Sequence, residues 1–394
     1  MSRADGKWMR RCLSAAGGVL MVSQVQAVSF IDPLDGQFDM GEYLAENAYG
    51  FLPVPVIITE PAVGYGGGLI GVFLHESAEE KARRKTMARQ STDGGAQLIP
   101  PAVTAVGGGG TENGTWFALG GHRRTWREDG IRYQGFGGYA NAVIDIYNDL
   151  GGLLPGAGFA IQTDSQGYFI VQDVQFRLPD TNWFLGFAQT YAHFEVSSDN
   201  PLADRVLKLL LGESTGTSAL GVMAEYDSRN SFFFPTKGYS LDFKYMFYRD
   251  FFGSDYDYDT LDLIGQAYFP VTEKWTWALK GAYQSLNSDE VGLPPLVRPY
   301  IDLRGIPSFR YQGDYVSAIQ TQIMWQVAPR WTLSGFVGVG SAESEFDDLY
   351  GEGEWAYGAG FRYQVARRYG LHMGMDFGFS DEDSAFYITV GTGF

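Results

Sequence analysis

Apolar side chains recur at every second residue over segments of about ten, and this rhythm narrows the folds open to the chain more than any other feature. From Tyr239 to Phe247 the odd positions are Tyr239, Leu241, Phe243, Tyr245 and Phe247, while Ser240, Asp242, Lys244 and Met246 stand between them. A helix would spread Asp242 and Lys244 over different faces; a strand gathers both on one. Ile319, Thr321, Ile323, Trp325 and Val327 alternate with Ala318, Gln320, Gln322, Met324 and Gln326, and Trp355 to Val365 repeats the pattern around Glu354, Arg362 and Gln364. Such a segment, greasy on one side and hydrophilic on the other, suits a strand that crosses a bilayer at a tilt. Beyond the first residues no stretch is apolar over roughly eighteen positions, which excludes membrane helices. The expected fold is all-β: a transmembrane antiparallel β-barrel of 16 strands counted from Val54, preceded by a short N-terminal segment.

The amino terminus says where such a barrel would go. Arg3, Lys7, Arg10 and Arg11 precede the short apolar run Cys12–Gln24, and Val25-Gln26-Ala27 follows as a small-x-small site. That is the order of a secretory signal peptide, so residues 1–27 are expected to be removed. Cys12, the only cysteine, goes with them, and the mature chain can form no internal disulfide. Residues 28–53 then form a short N-terminal segment and 54–394 the barrel. The formal charge of −17 repels a phosphate backbone, so nucleic acid is not an expected partner.

Connections alternate in length, as barrel asymmetry requires. Short turns fall at Trp126–Gly130, Pro179–Asn182, Pro270–Lys274, Ala328–Arg330 and Ala366–Arg368, and longer acidic loops at Phe251–Asp259 and Ser341–Gly353. The charged stretch Glu76–Pro100 falls on the short-turn side by strand parity. Asn200–Gly212 has the helix signature of an Asn cap followed by Pro201. Asp39–Asn47 could form a short helix at one mouth or inside the lumen. The chain closes on a strand in which Phe386, Ile388, Val390 and Phe394 share a face, the form of the assembly signal that outer-membrane barrels present to their insertion machinery.

Two stretches resemble a known family. Glu225-Tyr-Asp-Ser-Arg-Asn-Ser-Phe-Phe-Phe-Pro-Thr-Lys-Gly238 is similar to the mid-barrel strand and turn of BamA/TamA-type barrels, the bacterial surface antigen family, and Leu303-Arg304-Gly305-Ile306 resembles their V/L-R-G-Y/F tetrad. Phe51–Pro61 followed by Gly64–Gly68 looks like the opening hairpin. The resemblance implies a sixth loop folded back into the lumen, with Arg304 against the inner wall. The F-x-D-x-G strand that usually supplies its carboxylate reads Phe336-Val-Gly-Val-Gly340 here, leaving Glu354 and Asp314 as candidate acceptors and Arg310 as an alternative anchor. The 26 residues between Ala27 and Val54 are too few for a periplasmic POTRA repeat, so none is expected.

Catalysis is not expected. His75, His122, His193 and His372 have no metal-ligand spacing, and no serine lies in a G-x-S-x-G turn. His372 and Asp376 share a strand face but have no evident nucleophile beside them. Acidic clusters at Asp255–Asp259, Asp347-Asp348 and Asp381–Asp383 read as solvated loop tips, and no metal or cofactor is expected. The functional expectation is assistance to protein or lipid insertion or translocation at a Gram-negative outer membrane, acting at a barrel seam between Val54–Thr59 and Ala385–Phe394. The alternative is a passive channel or structural barrel without a client. Expected partners are outer-membrane lipids, lipopolysaccharide and, during biogenesis, the barrel-assembly machinery.

Overall fold

A computed structural model describes residues 29–92, 94, 102–146, 161–211, 214–290, 293–381 and 383–392. The signal-peptide segment and Phe394 lie outside the described residues. Sixteen antiparallel strands follow one another around a single sheet in sequence order. They are β1 (Phe51–Ile58), β2 (Gly66–His75), β3 (Ala102–Thr111), β4 (Trp116–Trp126), β5 (Ile131–Ile146), β6 (Ile161–Arg177), β7 (Trp183–Ser197) and β8 (Thr215–Asp227). The second half comprises β9 (Gly238–Tyr248), β10 (Tyr258–Pro270), β11 (Trp275–Asn287), β12 (Tyr315–Ala328), β13 (Trp331–Glu343), β14 (Glu354–Ala366), β15 (Leu371–Ser380) and β16 (Ser384–Val390).

Register makes the alternation physical. Asp242 lies opposite Glu225, and Lys244 opposite Asp262, so their side chains share the inner face across three strands. Tyr239, Leu241 and Phe247 point outward and are exposed, as are Trp355 and Tyr357. Exposed apolar surface on this scale needs a non-aqueous solvent, and the outward rings mark its boundary. Trp183 packs on Tyr226, Trp275 stacks on Trp325 and Trp331 packs on Tyr363, all near the short turns. This is the aromatic girdle of a membrane interface. Among the described residues no helix is long and apolar enough to cross a membrane.

The short-turn end is capped. The segment at Ile31–Phe38 leads into α1 (Gly41–Asn47), and the charged connection between β2 and β3 forms α2 (Ala78–Gln90). Ser77 and Glu80 close a capping box at the start of α2. Leu44, Ala45 and Ala48 pack with Ala88, Ala366 and Tyr369, pinning both helices to the β14–β15 turn. Buried Arg84 of α2 pairs with Glu76 at 3.3 Å and donates to the Ala48 carbonyl. At the opposite, long-loop end, α3 (Pro201–Leu211) starts where the Asn200 side chain accepts from the Leu202 and Ala203 amides.

The first and last strands are bounded differently from the sequence reading. The first strand begins at Phe51, not Val54, and ends at Ile58, leaving Thr59 buried just beyond it. Pro53 and Pro55 do not interrupt it. The Leu74 amide donates to the Gly50 carbonyl, so by antiparallel alternation Leu52, Val54 and Val56 bond toward β2. The prolines face the other edge, where no ladder bond is lost. The last strand stops at Val390; the Gly391 amide still donates to the His372 carbonyl, and its φ of +96° then turns the chain away from β15.

Candidate functional site

The connection between β11 and β12 enters the barrel. Ile301, Leu303 and Ile306 are buried against Val316, Ala318 and Ala356 of the wall. Leu303 occupies the space over Gly338, where a Cβ would lie 2.9 Å from its Cδ2. The position that lacks the family carboxylate therefore holds a leucine side chain instead. Gly305 adopts φ +111° and lies flat on β15, and a Cβ on Gly378 would stand 2.7 Å from its amide nitrogen. Backbone meets backbone there, and the Gly305 amide donates to the Tyr387 hydroxyl at 3.0 Å.

This placement drives Arg304 into the wall. Its Nη1 donates to Asp376 at 2.8 Å, its Nη2 reaches Gln320 and Gln322 at 2.8 and 2.7 Å, and its guanidinium lies 3.7 Å from the Phe336 ring centre. Asp376 is fully buried and is also gripped by Arg362 through both oxygens, at 2.8 and 2.7 Å. The acceptor is thus Asp376, one hairpin beyond the strand that was expected to carry it. Neither proposed alternative serves: Asp314 pairs with Arg298 at 2.8 Å, and Glu354 makes no ion pair among the described residues. Arg310 comes within 4.0 Å of Asp383, in the connection after β15. Burying two cations around one carboxylate is tolerable only because neutral oxygens surround them. Arg362 also donates to the Gly391 and Thr392 carbonyls at 2.9 and 3.0 Å.

Those last two bonds tie the anchor to the seam. Among the described residues no ladder joins β1 to β16, so the barrel is nearly closed rather than closed. Gly391 and Thr392 bend inward, and the Gln322 amide reaches the Thr392 carbonyl at 3.4 Å. Val54 faces the lumen, while Phe386 stacks on Tyr65 from the β1–β2 connection, ring centres 5.4 Å apart. Ile388 and Val390 lie along the open edge of β16, Ile388 opposite Met375 and Val390 opposite Met373.

A second cluster holds the N-terminal segment. Fully buried Arg330, in the β12–β13 turn, donates to Asp32, Asp35 and Asp39 at 2.5 to 2.6 Å. Arg367 adds a pair to Asp32 at 2.7 Å. Burial pushes the Asp32 carboxyl up, but the Leu34 amide and the Arg367 guanidinium outweigh it and hold the group below its ordinary range. The Arg330 hydrogen bond does the same for Asp35. Sequence reasoning missed this cluster, since its members lie some three hundred residues apart. Asp376 was more accessible: Asp376-Phe-Gly378 repeats the D-x-G spacing one hairpin late. His372, weighed for catalysis, stacks on Phe234 at 3.9 Å.

Comparison with known proteins agrees with this architecture. The Omp85 superfamily domain matches residues 157–300, from the start of β6 into the lumenal loop. Among curated proteins none matches. BamA from Haemophilus ducreyi lacking POTRA domains 1-3 superposes with a TM-score of 0.57 at 13% identity, over 86% of this chain and 69% of that one. CdiB from Escherichia coli gives 0.54 at 13% identity over 86% of this chain, which spans 61% of that protein. CdiB from Acinetobacter baumannii gives 0.53 at 12% identity, with 86% and 59% covered. The Omp85 superfamily domain model thus accounts for the middle of the chain, and the whole barrel has the fold of the BamA and CdiB barrels.

Proposed function

We propose that this barrel assists insertion or translocation of protein or lipid at a Gram-negative outer membrane, non-enzymatically, through the seam between β1 and β16. The observation that carries this reading is the unpaired seam. Phe51, Pro53, Pro55 and Ile57 direct their backbone groups to the open edge, and the two prolines have no N–H to give. An edge stripped of donors resists closure, yet in hydrocarbon every unpaired carbonyl is costly. Such an edge favours exchange of partners over permanent pairing. On this reading the short turns face the periplasm, and the lumenal loop braces β15 and β16 from within.

A seam lock tests it. Cysteines at Ile57→Cys and Ile388→Cys, oxidised in the membrane, should abolish insertion of a client barrel or exchange of labelled lipid in proteoliposomes, with activity restored by reductant. Full activity in the locked protein would exclude a seam mechanism. The rival, a passive channel, must contend with the β11–β12 loop, which packs against the inner wall.

A further inference from the structure

The lumen has two unlike walls. Barrel interiors are ordinarily polar, so an apolar inner face requires a reason. Here β1 is apolar on both faces: Phe51, Pro53, Pro55 and Ile57 outside, Leu52, Val54, Val56 and Ile58 inside. The inner face continues with Val72 and Leu74 of β2 and Val103 of β3. These residues line one side of a cavity of about 780 Å³ that Ala48 of the cap and Phe233 of the β8–β9 turn also line.

The opposite side of the same cavity is charged. Arg132 is neutralised by Glu225 at 2.8 Å, and Lys244 by Asp173 at 3.3 Å. Arg123 and Asp242 also line the cavity, and among the described residues neither side chain makes an ion pair or hydrogen bond. A free cation and a free carboxylate thus face an apolar trough within one space of ligand size. The groove begins at β1, so an acyl chain leaving the bilayer by the unpaired edge meets no polar side chain on that wall.

We propose that this cavity binds a phospholipid whose head carries both a phosphate and a primary ammonium, with an acyl chain along the β1–β3 wall. Arg123 presents a forked guanidinium to the phosphate, and Asp242 accepts from the ammonium. A purely anionic head would bring nothing to pair with Asp242, and a purely cationic one would leave Arg123 unmet. This deepens the seam reading, and rests on it, by making the client a lipid.

The test separates lumenal from surrounding lipid. The full chain is reconstituted in phosphatidylcholine vesicles with a lysophosphatidylethanolamine carrying a mid-chain diazirine, irradiated, and mapped by mass spectrometry. Outward Ile57, Leu69 and Val106 report any neighbouring lipid and serve as the folding control. The site predicts additional labelling of Val54, Val72 and Val103, reduced roughly tenfold relative to the outer face in Arg123→Gln with Asp242→Asn, the scale of a lost charge-assisted contact. A lysophosphatidylglycerol probe should label the inner wall less. An unlabelled inner wall, or inner labelling unchanged in the double variant, overturns the site. Inner labelling alongside activity that ignores the seam lock keeps the site and removes the seam reading; lock-sensitive activity with a bare inner wall does the reverse.

Discussion

Arg304, carried into the lumen by a loop, donates to the Asp376 carboxylate on β15 at 2.8 Å, with the arginine side chain only 10% exposed and the aspartate fully buried. Loop and wall are joined where neither charge can find water, so the pair acts as a latch. Breaking one partner of such a pair costs more than the pair contributes, because the other charge stays buried.

Asp376→Asn therefore strands both Arg304 and Arg362. A loss of about 3–5 kcal/mol is expected for the break, and the loop at Leu303–Tyr311 should become sensitive to protease in otherwise folded barrels. Arg310→Ala should cost about 0–1 kcal/mol and leave the protease pattern unchanged. Equal sensitivity in both variants would show that Arg304 is not the latch.

Gly378→Ala tests the backbone contact without altering charge. The new methyl would lie 2.7 Å from the Gly305 amide nitrogen and 2.8 Å from the Arg304 carbonyl, and neither is a flexible side-chain end. The loop must lift, at about 1–3 kcal/mol, and the same protease assay should show its release. Gly335→Ala has nothing within 4 Å of its new methyl and serves as the matched control.

Acid should free the N-terminal segment. Asp32 and Asp35 titrate below the ordinary value of 3.8 in the folded protein, so they bind fewer protons than the unfolded chain does. Their stabilisation is fully present above that value and is lost as pH falls through the folded pKa. Hydrogen exchange across residues 29–47 should rise below about pH 4 while β12–β14 stays protected, and Arg330→Ala should give the released pattern at neutral pH. Protection persisting in that variant would assign the hold to α1 packing instead.

Replacing Pro53 and Pro55 by alanine returns two donors to the open edge of β1. Pairing with β16 should follow, seen as slowed exchange of amides at Phe386–Val390, together with slower lipid or client transfer. Unaltered exchange would mean that the inward bend at Gly391, not the missing donors, keeps the seam apart.

Deleting Leu303–Tyr311 examines the channel alternative. A passive pore should show steady conductance in planar bilayers that grows in the deletion, since the loop occupies the lumen. A silent bilayer for both proteins would eliminate that reading.

Much of the fold could be read from residues alone, because each strand records its two environments locally. Tyr239 to Phe247 alternates because lipid lies on one side and the lumen on the other, whatever the neighbouring strands are. The tetrad at Leu303–Ile306 likewise marked a loop with a buried arginine. The partner of that arginine was not legible: it depends on which of several inward side chains the register of β12–β15 brings level with the loop tip, and Asp376 is 72 residues away. The Arg330 cluster was hidden for the same reason, its carboxylates lying nearly three hundred residues from the turn they hold. The open seam required both edges at once. Pro53 and Pro55 could be seen to lack donors, but that their blank sides face β16, and that Gly391 carries the chain inward there, is decided only when the two ends of the sheet are brought round to meet.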